Sequence, residues 1–416
     1  MEIDDPIGRL ARILFFAGCA TIPMLAFRVS SFAVSDLLFI LGALLQLAAF
    51  GHRRQSVPGP WLAAAALVAV GGCLAGFRAD SIPGDLATTV RLVYLMTIWV
   101  WQARYALDTR ERVWTAVNLF VAGSAISGLA GLLELHGGLV IPGSLPVFGR
   151  SPGLTQHVND QGAVLAAAFP MAVGSTMHST RRSIFRIALI LSIALIAIGL
   201  LSSGSVSGML GAAVGIVVLT LRARSLGKTL VGVLIVGGAF LIGSHFLAHG
   251  SLNPLQRFDQ ATGGGSIAGQ DTASTRIQTW EIAWHRIIQN PLVGAGLDPN
   301  SELTVDGFSA HNILLLAWSQ GGLFTFIGIL AAVSYSVRRG WSRTGDGLME
   351  VAFAGVAAAI AYAMTGPVLF DRFFWFPVIL PLVVSAVRGV GSSSLVEGEE
   401  GYGLIQEAAV EDSSVA

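Results

Sequence analysis

Apolar runs of roughly 17 to 25 residues recur along almost the whole chain, and each is long enough to cross about 30 Å of hydrocarbon as a helix. They centre near residues 18, 41, 69, 96, 122, 167, 192, 213, 237, 322, 357 and 381. In lipid no water satisfies the backbone, so spanning segments of this length fold as helices that bond internally. The 416 residues are 53% hydrophobic and 12% charged, with mean hydropathy +0.69, outside the range of a soluble domain. The expected fold is all-α: a polytopic membrane protein with about 12 transmembrane helices.

The opening "MEIDDPIGRLAR" mixes acids and bases, and no small-residue cleavage site follows the first apolar run, which therefore reads as an uncleaved helix. Cys19 and Cys73 lie inside apolar spans and suggest neither a disulfide nor a metal site. Formal net charge is zero, but the charges sort by side. With the N-terminus in the cytoplasm, the segments "GHRRQ", "ARYALDTRERV", "STRRSIFR", "RARSLGK" and "RRGWSR", with Arg9, Arg12 and Arg388, hold 17 of the 25 Lys and Arg residues. That bias matches the positive-inside rule. An even number of spans returns the C-terminus to the cytoplasm.

Four regions follow. Residues 1–246 carry helices one to nine, 247–310 form an extracytoplasmic loop, 311–390 carry helices ten to twelve, and 391–416 form an acidic cytoplasmic tail whose composition suggests disorder. Two outward connections are long, 135–157 and 247–310, and long loops in compact proteins are usually functional or disordered. Within the second, "ASTRIQTWEIAWHRIIQNPLVGAG" has a helical pattern starting after Ser274 and Thr275 and stopping at Asn290-Pro291. Ile277, Trp280, Trp284, Ile287 and Ile288 share one face, opposite Gln278, His285, Arg286 and Gln289. This predicts an amphipathic helix on the membrane surface with tryptophans at headgroup level. Arg276 falls in its expected first turn, where helix amides and a forked guanidinium suit phosphate.

The outward basic residues are Arg28, Arg78, Arg91, Arg150, Arg257, Arg276, Arg286 and Arg372. Arg28, Arg78 and Arg372 read as lipid-headgroup anchors near span ends. Arg150, in "FGRSPGL", precedes a helix that Asn159 or Asp160 is placed to cap. Arg91 lies within the fourth span, where a charge costs roughly 2.5 to 3.5 kcal/mol and calls for a cavity or an interface. His311 and Asn312 stand where a polar loop becomes the apolar helix "ILLLAWSQGG". On pattern alone His311 is either a hydrogen-bonded structural residue or a base. Asp298, Glu302 and Asp306 recur every fourth residue, but Pro299 and Gly307 argue against one helix, and a solvated loop is the better reading than a metal site.

The order "R-x-x-x-W", then "NPLVGAGL", then "AHNILLLAWSQGGLFTFIGIL", with "GRSPGLTQHVNDQGAVLAAAFP" upstream, resembles the O-antigen ligase and O-antigen polymerase superfamily, with residues 149 to 330 carrying the specific part. The resemblance implies a GT-C-like fold and a location in the cytoplasmic (inner) membrane of a bacterium. It implies transfer of a glycan from an undecaprenyl-diphosphate or similar polyprenyl-diphosphate carrier to a glycan, lipid or wall-polymer acceptor, with no cofactor. His311 takes the place of the catalytic base, Arg150 and Arg276 those of donor-diphosphate arginines, and Asn312 and Asn159 accompany them as positioning residues. Two departures stand out: Val206 lies where an arginine is expected in "SSGSVSGML", with Arg91 a candidate substitute, and Val158 replaces a proline.

The chemistry needs no metal. A diphosphate leaving group needs its charge held, and an imidazole is suited to take the acceptor's proton near neutral pH. Attack opposite the diphosphate inverts the anomeric centre. Membrane lipids are the other expected partner, and nucleic acid is not. The competing class is a transporter or flippase for lipid-linked glycans, which would commonly show related halves, midplane charges and broken helices.

Overall fold

The computed structural model describes residues 6–29, 32–49, 56–144, 146–147, 149–179, 183–223, 238, 272–297, 310–342 and 345–387. The ninth expected span, most of the 247–310 loop (with Arg257, Asp298, Glu302 and Asp306) and the acidic tail lie outside them.

The helices are α1 (Pro6–Thr21), α2 (Val34–Ala49), α3 (Gly59–Gly76), α4 (Ile82–Met96), α5 (Ile98–Ala106), α6 (Arg110–His136), α7 (Val158–His178), α8 (Ser183–Ser203), α9 (Val206–Arg222), α10 (Thr272–Gln289), α11 (Ile313–Trp341), α12 (Gly347–Ala363) and α13 (Arg372–Val387). Among the described residues α3, α6, α8 and α11 are long and apolar enough to cross a membrane, and α2, α9, α12 and α13 are shorter apolar helices. Among the described residues the regular structure is helical except for one short antiparallel ladder, β1 (Arg28–Val29) on β2 (Phe32–Ala33).

Helix α7 is buried along nearly its whole length and packs against α6, α8, α9 and α12. Its place inside the bundle brings its first turn, and the loop leading into it, beside three other helix ends. The fourth apolar run is two helices rather than one. Thr97 breaks it at φ −120°, ψ −77°, and its hydroxyl donates to the Val93 carbonyl at 2.6 Å, a back-bond that bends helices.

The expected amphipathic segment is a helix, α10, but its apolar residues divide between two faces. Thr279, Ala283 and Ile287, four residues apart, are buried where the helix packs on α11. Ile277, Trp284 and Ile288 remain exposed. The expected single apolar face is thus two stripes, one packed against protein and one exposed. The helix also starts at Thr272, earlier than expected, so Arg276 sits in its second turn and not at its tip.

Helix α11 is interrupted at Gly322, which takes φ +72° and ψ −173°. The break separates Leu323 N–H from the Ser319 carbonyl, its normal partner four residues back. The segment after α10 fills the gap: Ala295 N–H donates to Ser319 O at 2.9 Å, Gly296 N–H to Gln320 O at 2.9 Å, and Leu323 N–H to Leu292 O at 3.3 Å. Trp318 Nε1 adds a bond to the Pro291 carbonyl at 2.9 Å, and the Leu297 amide donates to the Asp85 carboxylate. A broken membrane helix is tolerated when neighbours satisfy its freed backbone groups, and "PLVGAGL" performs that role here. Its small residues are required, because a Cβ on Gly294 would lie 1.9 Å from the Gln320 oxygen.

Candidate functional site

The beginnings of α7, α9, α10 and α11 and the ends of α8 and α12 meet around the residues singled out by sequence. Arg150 lies just outside α7, in a turn closed by Val147 and Arg150. Its Nε donates to the Ser203 carbonyl at 2.7 Å and its Nη2 to Asn159 Oδ1 at 3.0 Å. Gly204, at φ +56°, lets the chain turn from α8 to α9 directly against this guanidinium. Ser205 then caps α9, accepting from Gly208 N–H at 3.2 Å.

Arg276 reaches the same turn from α10, its Nη1 donating to Ser207 Oγ at 3.1 Å. Its Nε is buried with no hydrogen-bond partner among the described residues. Burial lowers its pKa from the ordinary arginine value, partly offset by nearby Tyr362. Two guanidiniums therefore flank the N-terminus of α9, which itself carries positive partial charge. Val206, where the resemblance calls for arginine, is the first residue of that helix. Arg276 supplies the cation one residue away.

Asn159 lies in the first turn of α7 but does not cap it, and neither does Asp160. The cap is His157, whose Nδ1 accepts from Asn159 N–H at 3.2 Å. Burial and then Arg150 lower the His157 pKa from its ordinary 6.5, favouring the neutral ring that an accepting nitrogen requires. Freed from capping, the Asn159 side chain holds Arg150, and its carbonyl accepts from the Tyr362 hydroxyl at 2.9 Å.

Asn312 caps α11, its Oδ1 accepting from Leu314 N–H at 3.0 Å and Leu315 N–H at 3.1 Å. Its Nδ2 donates to the Met364 carbonyl at 3.2 Å, which ties the start of α11 to the end of α12. His311, half-buried, is the residue before this cap. A chain of contacts thus runs from His311's neighbour through Met364 and Tyr362 to Asn159, Arg150 and the α9 turn that holds Arg276.

Arg91 sits apart. Its charged neighbours are Arg372, Asp371, Asp36 and Arg28. Arg372 is no lipid anchor: it is 1% exposed and forks onto Asp36, a pairing that removes both charges from lipid. Asp371 interacts with Arg91 and Arg372, and Asp160 with Asp371, so carboxylates link the Arg91 cluster to the Tyr362 end of the first site. The site roles of Tyr362, Ser207 and Asp371, and the capping role of His157, are not expected from the sequence. His157 alone carried a legible signal, its position one residue before an apolar helix.

Together these features define a polytopic helical membrane protein with a cationic polar site where helix ends converge. Residues 190–330 match the family model described as O-antigen ligase, which bears out the resemblance to the O-antigen ligase and polymerase superfamily. No curated protein matches the sequence.

Proposed function

We propose that this protein transfers a glycan from a polyprenyl-diphosphate carrier to an acceptor hydroxyl on the outer side of the cytoplasmic membrane, in surface-polysaccharide formation. The O-antigen ligase match over residues 190–330 supports glycan transfer in general. The observation that favours the finer reading is the pair of guanidiniums, Arg150 and Arg276, held on either side of the α9 N-terminus.

In this reading the donor diphosphate lies against Arg150 and Arg276, whose fixed charges stabilise the negative charge gained as the bond to the anomeric carbon breaks. Arg91 adds a further cation through the cluster beside Asp371. The acceptor oxygen forms the new bond to the anomeric carbon, and its proton passes to His311. The lipid diphosphate departs with the bonding electron pair. Asn312 sets the position of His311 by capping α11, and Asn159 sets that of Arg150. Arginines holding the charge leave no role for a metal ion, and a single displacement opposite the diphosphate inverts the anomeric centre.

Purified protein given lipid-linked donor and acceptor tests this. His311→Ala should abolish transfer while donor binding persists, and Arg150→Ala or Arg276→Ala should weaken donor binding. Full turnover by His311→Ala removes it from the base role, and unchanged donor affinity in both arginine variants removes the diphosphate site. EDTA should leave transfer intact. A glycan ladder from donor alone marks a polymerase, and dependence on a separate acceptor marks a ligase. Translocation of donor with no covalent product would support the transporter reading instead.

A further inference from the structure

Ten residues along α10 from Arg276, about 15 Å at helical rise, a polar cavity of about 250 Å³ opens between α10, the end of α3 and the segment that plugs α11. Arg78, Asp80, Arg286, Gln289, Asn290 and Ser319 line it. Arg78 donates to the Asn290 side-chain oxygen. No ion pair among the described residues neutralises Arg78, Arg286 or Asp80, and Arg286 Nη1 is buried without a hydrogen-bond partner. Two guanidiniums and one carboxylate facing one space match a ligand that carries an oxyanion and a cation together.

The surroundings decide which ligand. Phe77, beside Arg78 in sequence, is 84% exposed, and Ile288 and Leu292, which bracket Gln289 and Asn290, are also exposed. An apolar fringe around a charged cavity is the profile of the membrane interface, where acyl chains lie beside headgroups. The volume falls below the roughly 300–1,000 Å³ of sites for drug-sized molecules, which is the scale of a headgroup and not of a glycan chain.

We propose that this cavity binds the headgroup of a zwitterionic phospholipid carrying a primary ammonium, such as phosphatidylethanolamine. Arg78 and Arg286 take the phosphodiester oxygens, and Asp80 takes the ammonium. Bound there, the lipid bridges α3 and α10 and holds the surface helix against the plug of α11. The site is distinct from the α9 turn and does not depend on the glycan-transfer reading.

Native mass spectrometry of the full chain, exchanged from mild detergent into equimolar phosphatidylethanolamine and phosphatidylglycerol, tests the proposal. Wild-type protein should retain phosphatidylethanolamine preferentially. Arg78→Gln and Arg286→Gln should each lower retention of both lipids about tenfold, a loss of ~1.4 kcal/mol, whereas Asp80→Asn should abolish only the preference. Thermal unfolding of each variant establishes that it is folded, and Arg78 and Asp80 are exposed. Equal retention by folded variants, no preference in the wild type, or binding of inorganic phosphate alone with no retained lipid would each overturn it.

Discussion

Asn312 bonds in two directions: its side-chain oxygen caps α11, and its amide nitrogen donates to the Met364 carbonyl at 3.2 Å. The residue beside the expected base is therefore a joint between two helices, and its two functions are separable by substitution. Asn312→Ala should destabilise the protein by about 1 kcal/mol or more through loss of the cap. Asn312→Asp keeps the cap but not the donor, so it should retain most of the thermal stability while transfer falls. If Asn312→Asp transfers at the wild-type rate, the Met364 tie does not position His311.

The His157 cap should be sensitive to acid. Its folded pKa lies below the unfolded 6.5, so the unfolded state binds the proton more readily. The stability it contributes is present above about pH 6.5 and is lost as pH falls through the folded value. Melting temperatures recorded from pH 7.5 down to 5 should show this decline. His157→Asn, a good cap without a titrating ring, should flatten it.

Burial of the Asp36–Arg372 pair, with side chains 12% and 1% exposed, makes single substitutions severe. Asp36→Asn should cost roughly 3–5 kcal/mol, because it strands a buried guanidinium. The double variant Asp36→Leu with Arg372→Met should recover much of that loss. A double-mutant cycle by thermal unfolding measures the coupling, and additive losses would contradict the pairing.

The plugged break in α11 should tolerate no added side chain. Gly294→Ala would place Cβ 1.9 Å from the Gln320 oxygen, and Gly322→Ala would combine a 2.4 Å contact to Leu292 O with φ +72°. Each should lose about 1–3 kcal/mol or more by overpacking. Gly59→Ala, where nothing beyond its chain neighbours lies within 4 Å, should cost less than either, its penalty being the restriction that Pro60 places on the residue before it. Comparable melting temperatures for all three would mean that the plug is not seated as described.

The sequence by itself determined the helical class, the described apolar helices except for the break at Thr97, the amphipathic helix α10 and the residues worth testing: Arg150, Arg276, Asn159, His311 and Asn312. Those features are written locally, in apolar run lengths, a 3.6-residue period and the polar residues at helix ends. It misjudged local events that depend on neighbours: the cap of α7 went to His157, and α10 began a turn early. Only the tertiary structure decided that Arg276 reaches Ser207, 69 positions away, that Arg372 lies on Asp36, 336 positions away, and that "PLVGAGL" fills a break in α11. The physical reason is that a guanidinium or a freed carbonyl must find a partner once water is excluded, and which partner lies within 3 Å is set by how the helices pack.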